Sequence, residues 1–227
     1  MENSPFAPIC NELAADFDAA DIAGDIDKTR ELIENAKKIL STHDAPEYAP
    51  LFYSVGTSIT ILRDNLLRKS TARNLYMNSE VIETHSQALW YFRHAEELLQ
   101  QIEENKENYP YLTGIRMILY VNLGNALDFC GRKCSAMDYY SKAAGLHPFG
   151  MALGNIGKTL EHYAFLDGDE GHRAVLYREA YKYYWEAEQA NDAYTYETAK
   201  KEFAKRRKDM EVCFGKENLK EQSEFIP

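Results

Sequence analysis

Long apolar runs are missing from this chain of 227 residues. None approaches the ~18–20 consecutive apolar residues that a membrane-spanning helix needs. The opening residues, MENSPFAPICNELAADFD, hold neither a basic cluster nor an apolar stretch, so they do not read as a secretory signal. Both absences point to a cytoplasmic protein that makes no use of a membrane. Positive charge is also short: 26 Lys and Arg stand against 36 Asp and Glu, a net charge of −10. That balance argues against unspecific binding to nucleic acid or anionic lipid.

The signatures of catalysis are absent too. Cysteine is sparse: of Cys10, Cys130, Cys134 and Cys213 only Cys130 and Cys134 are close, and no further Cys or His lies at ligand spacing, so they read as free thiols, with a redox pair beside Arg132 and Lys133 as the alternative. There is no CxxC, no HExxH and no Gly-x-Ser-x-Gly. The glycines of GMALGNIG (Gly150, Gly154, Gly157) sit at helical spacing and follow no strand, which excludes a phosphate-binding loop. Glu12, Asp16, Asp18, Asp21, Asp25 and Asp27 fit no calcium loop and read as a solvated helix face. No catalytic residue, metal or cofactor is therefore expected, and alternating β patterns are lacking as well.

What the chain does have is helical periodicity almost throughout. A weak, alanine-rich helix is predicted over 8–23. Asp27 is a candidate N-cap for KTRELIENAKKIL, whose Leu32, Ile33, Ala36 and Leu40 form one stripe. The next helix spans about 48–68 and carries Phe52, Gly56, Ile59, Leu62 and Leu66; its tail, RDNLLRKSTARN, leads into an insertion. Val81, Ile82, His85, Ala88, Leu89, Phe92, Ala95, Leu98, Leu99 and Ile102 keep the helical period through a long buried stripe. The last helix, AYTYETAKKEFAKRRKDMEVCF, puts Ala193, Tyr196, Ala199, Phe203, Met210 and Phe214 on one side. The sum is about nine helices in an all-α chain. Residues 1–26 are an acidic leader with a loose start at 1–7, 27–215 a helical repeat domain, and 216–227 a polar tail.

Within that domain one unit organises the rest. In Met117–Gly150 the residues Tyr120, Leu123, Gly124 and Leu127, then Ala136, Tyr140, Ala143 and Pro148, recur around a break at Gly131. This spacing resembles the tetratricopeptide repeat (TPR), a helical hairpin of about 34 residues in which small residues mark a close crossing. Ile156, Gly157 and Leu160 with Ala180, Tyr184 and Ala187 repeat the pattern downstream; Phe52, Val55, Gly56 and Ile59 with Ala88, Phe92 and Ala95 repeat it upstream. Both flanking units are divergent and carry extra residues, the downstream ones in a polar loop at Leu166–His172. The resemblance implies a TPR-like superhelix that presents a concave groove to a protein or peptide.

A narrower resemblance covers about 105–210. Met151–Gly157, Tyr163–Ala164 and the segment from Asp169 to His172 are similar to motifs in bacterial proteins whose TPR-like half precedes a HEPN-type domain. That class includes RNA-cleaving toxins and defence proteins, so the resemblance implies a HEPN-type partner domain and a sensing role. No Arg in this chain is followed by a His at the four-to-six-residue separation of HEPN nucleases, and the sequence stops at Pro227 where such a domain would begin. The expectation is a regulatory half or a stand-alone relative.

The groove-facing side chains follow from the register. They are Asn122, Asn125 and Asp128 in the central unit, and Asn155, Lys158 and Glu161 in the next, with His162 beside them. Asparagine suits an extended peptide because one amide both donates and accepts. Asn125 and Asn155 resemble the asparagine places of the chaperone-tail clamp of some TPR proteins, although Val121 occupies its lysine place. Two alternatives remain. A metal-dependent hydrolase would gather His162 and His172 with Glu161, Asp167, Asp169 and Glu170. An RNA-binding stripe would use Lys201–Lys208, which otherwise reads as a solvated face.

Overall fold

The computed structural model describes residues 4–69, 79–105 and 107–220, and among them every regular element is helical. In order these are α1 (Pro8–Ala23), α2 (Ile26–Leu40), a 3₁₀ turn (Pro46–Tyr48), α3 (Ala49–Lys69), α4 (Ser79–Leu99), α5 (Tyr109–Phe129), α6 (Lys133–Leu146), α7 (Gly150–Leu166), α8 (Glu170–Gln189), α9 (Glu197–Phe214) and α10 (Lys216–Lys220). The chain forms two compact units, Met1–Ala126 and Leu127–Pro227, and the division falls inside α5. No helix of the described residues is long and apolar enough to cross a membrane.

In the first unit α1, α2 and α3 pack on one another, and α3 packs along α4. Cys10, Leu13, Phe17 and Ala20 recur every three or four residues and bury the inner face of α1, so the acidic leader belongs to this core. Glu12, Asp16, Asp18, Asp21, Asp25 and Asp27 are all exposed, as solvated groups should be. Ala7, the residue just before α1, is tied down, since its amide donates to the Glu47 carbonyl at 2.9 Å; residues 1–3 of the segment expected to be loose lie outside the described residues. Gly24 ends α1 in the left-handed region, with φ of 65°, and α2 starts at once. The cap of α2 is therefore Asp25, which accepts from the Lys28 amide at 2.9 Å, and not Asp27. The stripe of α4 is buried at Val81, His85, Ala88, Phe92, Ala95, Leu98 and Leu99; Ile82 is exposed, and Ile102 lies past the helix end. Residues 70–78, most of the upstream insertion, lie outside the described residues. Much of the extra length flanking them is helical, for α3 and α4 have 21 residues each.

The second unit packs α6 on α7, α7 along α8, and α8 on α9, with α10 resting on α8 and α9. The polar loop predicted over Leu166–His172 is shorter in the structure. α7 runs to Leu166, and α8 opens at Glu170 because the Asp169 carboxylate caps it, accepting from the His172 amide at 2.7 Å. The extra residues thus lengthen a helical hairpin. Likewise α9 opens at Glu197, so Ala193 and Tyr196 fall before it and are exposed. Part of the expected polar tail is helical, and Leu219 of α10 is buried.

One packing device recurs in both units. A Cβ placed on Gly56 would stand 2.8 Å from the Phe92 ring and 3.3 Å from the Ala88 carbonyl oxygen. A Cβ on Gly157 would stand 2.9 Å from the Tyr184 ring and 3.2 Å from the Ala180 carbonyl oxygen. Each hairpin closes by laying an aromatic ring and a backbone carbonyl on a bare helix surface.

Candidate functional site

The geometry of α7 explains its glycines first. Gly150 lies against Thr195 and the Ala187 carbonyl, Gly154 against Phe203 of α9, and Gly157 against Tyr184 of α8. A Cβ on Gly154 would be 2.1 Å from Phe203 Cζ, so α9 closes on a place where any side chain is excluded. The helix start is occupied as well. The Gly150 amide donates to Asp192 Oδ2 at 3.0 Å and the Met151 amide to Thr195 Oγ1 at 3.1 Å. Asp192 also accepts from the amides of Tyr194 and Thr195 at 2.9 and 2.7 Å. Partial burial would raise its pKa, but the bonds from Gly150 and Thr195 outweigh that and hold it below the usual carboxylate range.

One turn further along α7 the surface is charged. Lys158 Nζ pairs with Glu202 Oε1 at 3.0 Å and lies 5.3 Å from the centre of the Phe203 ring. Glu161 Oε2 accepts from Arg206 Nη1 at 3.0 Å and from the Tyr184 hydroxyl. Arg206 Nε also meets Glu202 Oε1, at 3.2 Å. Burial alone would raise Glu202, yet Lys158 and Arg206 hold its carboxyl low. Burial, and then the neighbouring Glu161 carboxylate, push the Tyr184 phenol well up, so it stays a donor. On α8 the Glu188 carboxylate grips Arg207 with both oxygens, and Arg207 Nη1 reaches Glu211 at 2.8 Å. The Tyr181 hydroxyl donates to the same Glu211 oxygen at 2.7 Å. These bonds, foremost that with Glu188, raise the Arg207 pKa and fix its charge.

The predicted groove residues divide accordingly. Lys158 and Glu161 belong to one network, and α9 covers them. Asn155 is buried, with 7% of its surface exposed, and presents nothing to an incoming chain, contrary to its expected place on the groove. His162 is exposed, its ring 6.3 Å from that of Tyr163. In the first unit the Asn122 amide donates to the Tyr53 hydroxyl at 3.0 Å, and Asn125 is exposed. Asp128, in the second unit, accepts from Lys133. The clamp suggested by Asn125 and Asn155 therefore lacks an accessible second asparagine.

Glu202, Phe203, Arg206 and Arg207 are the residues that sequence reasoning left out of the site. Lys201–Lys208 had been divided between a solvated face and an RNA stripe, whereas three of its charges are paired within the unit. Each helix does carry an opposite-charge pair, three apart at Lys158 and Glu161 and four apart at Glu202 and Arg206, which marks charged surfaces but not their pairing. Asp167, Asp169 and His172 serve the α7–α8 turn: Asp169 caps α8 and Asp167 contacts His172; the Asp169 amide, and after it His172, hold the Asp167 carboxyl low. Among the described residues no group of three His, Cys, Asp or Glu could hold a metal ion. Among the described residues no cysteine is in a disulfide; burial pushes the Cys10 thiol up to about 11, and Cys134 Sγ lies 3.1 Å from the Tyr163 hydroxyl. No known protein family matches this chain, and no curated protein is similar to it.

Proposed function

We propose that the chain is a non-enzymatic, TPR-like interaction module, a regulatory or adaptor component that takes a protein or peptide segment on the face of α7 against which α9 packs. The observation that carries this is the stripe Gly154, Lys158 and Glu161, which already recognises a helix through an aromatic socket and two oppositely charged pairs. The repeated glycine–alanine–aromatic closure at Gly56, Ala88 and Phe92 and at Gly157, Ala180 and Tyr184 supports a repeat architecture. A metal-dependent hydrolase finds no support, because Asp167, Asp169 and His172 are engaged in the turn. A HEPN-associated sensing role rests on the sequence resemblance alone.

Selection of displayed peptides on the full chain tests the proposal. Enriched segments should lose binding when Lys158→Glu and Glu161→Lys are combined, while circular dichroism stays helical. His162→Ala, at an exposed place on α7, should weaken binding and leave the melting temperature in place. Asn155→Ala should lower the melting temperature instead. Enrichment that ignores all of these changes would move the binding face elsewhere.

A further inference from the structure

We propose that α9 is the resident occupant of an exchangeable helix seat on α7 and α8. The partner taken there is a helix with α9's own chemistry, an acid followed directly by an aromatic residue, then two arginines four and five places after the acid. In α9 these are Glu202, Phe203, Arg206 and Arg207. The proposal names the partner class for the face described above and rests on that reading.

The seat is specific. Gly154 leaves room for a ring and for nothing on its own backbone. Lys158 reads the acid, Glu161 reads the first arginine with Tyr184 holding its carboxylate, and Glu188 reads the second arginine with two oxygens. A bidentate carboxylate distinguishes arginine from lysine, which offers a point charge only.

The seat is also exchangeable. α9 buries Phe203 and Met210, whereas α7 buries nine residues, so the two helices differ in how firmly they belong to the unit. The Lys158–Glu202 and Glu161–Arg206 pairs keep about a third or more of their side chains in water, where salt screens them. A cleft of about 490 Å³ runs beside α9, lined by Glu161, Tyr177, Glu202, Arg206, Met210 and Phe214 among others. It reaches the paired charges, so an incoming side chain can engage them before α9 has left. Segments that open at low cost are those with few buried apolar contacts, and α9 meets that description.

A labelled peptide of residues 197–214, added to the full chain, provides the test. The wild-type chain should bind it weakly, because its own α9 competes. Phe203→Ala in the chain loosens the resident helix and should tighten peptide binding about tenfold or more. Adding Lys158→Glu should remove that gain, and a scrambled peptide should not bind. A Phe203→Ala chain that remains helical yet binds no better than wild type overturns the proposal. Should that variant fail to fold, amide exchange on the wild-type chain decides: residues 201–214 should exchange about tenfold faster than residues 154–164, and faster still with added peptide. Equal protection of both segments makes α9 a fixed part of the core and ends the proposal. Failure here leaves an interaction module acting through other surfaces; a working seat with no partner selected from a library ends the module and leaves the exchange standing.

Discussion

The hairpins α3–α4 and α7–α8 solve one packing problem with nearly the same atoms. In both, a glycine receives an aromatic ring at under 3 Å from where its Cβ would be, and an alanine carbonyl sits just beyond. The aromatic residue makes the difference. Phe92 ends in carbon and lies 6.1 Å from the Tyr53 ring within an apolar interior. Tyr184 ends in a hydroxyl that holds Glu161, and through it Arg206 of α9. Charge in the first hairpin is kept inside instead: Arg63 and His85 are buried, with Arg63 Nη1 at 2.8 Å from His85 Nδ1. The phenolic oxygen of Tyr184 thus adds a polar link to a further helix that the Phe92 ring cannot make.

The largest effects should come from the shared element. Gly56→Leu and Gly157→Leu should each destabilise the chain by about 1–3 kcal/mol, since a carbonyl as well as a ring must move. Gly168→Ala, with nothing within 4 Å of the new carbon, should be nearly neutral. Denaturant unfolding of the three variants checks this, and tolerance at only one of the two packed glycines would break the equivalence. Exchanging the aromatics sharpens it. Phe92→Tyr buries a hydroxyl among apolar groups and should cost about 1–3 kcal/mol, whereas Tyr184→Phe loses one hydrogen bond and should cost about 0.5–1.5 kcal/mol. Thermal melts that reverse this order would show that Tyr184 is no more than another core ring.

Asp192→Ala should follow, at about 1 kcal/mol, because it uncaps α7 and frees two loop amides at once. Amide exchange at Gly150 and Thr195 should rise together in that variant. The smallest effect is a pH dependence that differs between the units. Burial, and then the Arg63 charge, lower the His85 pKa below its ordinary 6.5. The unfolded chain therefore binds that proton first, so the first unit keeps its full stability above about pH 6.5 and loses some of it below. Asp192 and Glu202 are held low, so their contribution is present above the ordinary carboxylate range and disappears as pH falls through it. Amide exchange at pH 7 and pH 5 should show protection falling along α4 while α7 holds. A loss along α7 alone would reverse that assignment.

Much of this architecture is legible in the sequence because burial follows helical period. Gly56, Gly157, Ala88, Ala180, Phe92 and Tyr184 fall where the pattern puts them, and the glycines of GMALGNIG, read as helical rather than phosphate-binding, lie in α7. Periodicity fails where a single side chain decides. Asp25 caps α2 because Gly24 turns the chain just before it, and Asp192 delays α9 to Glu197 by taking the loop amides. Asn155 is buried on α7, where the period alone put it among the polar positions. A helix pattern tells which face is apolar, but not that a later helix will cover part of the polar one. Lys158 and Glu161 were singled out as partner contacts, and their first partners lie 44 and 45 residues downstream, at Glu202 and Arg206, a separation no local pattern can report.

The glycines of α7 have one more consequence, for the order in which the chain acquires structure. Gly154 and Gly157 lie in the helix interior, where each disfavours the helical state by about 1 kcal/mol relative to alanine. A segment so handicapped is a poor nucleus. Its helicity is borrowed from the rings of Tyr184 and Phe203, which arrive later in the sequence. A growing chain that has produced residues 150–166 but not yet 184 should therefore hold them as fluctuating coil, and they should become helical as α8 docks.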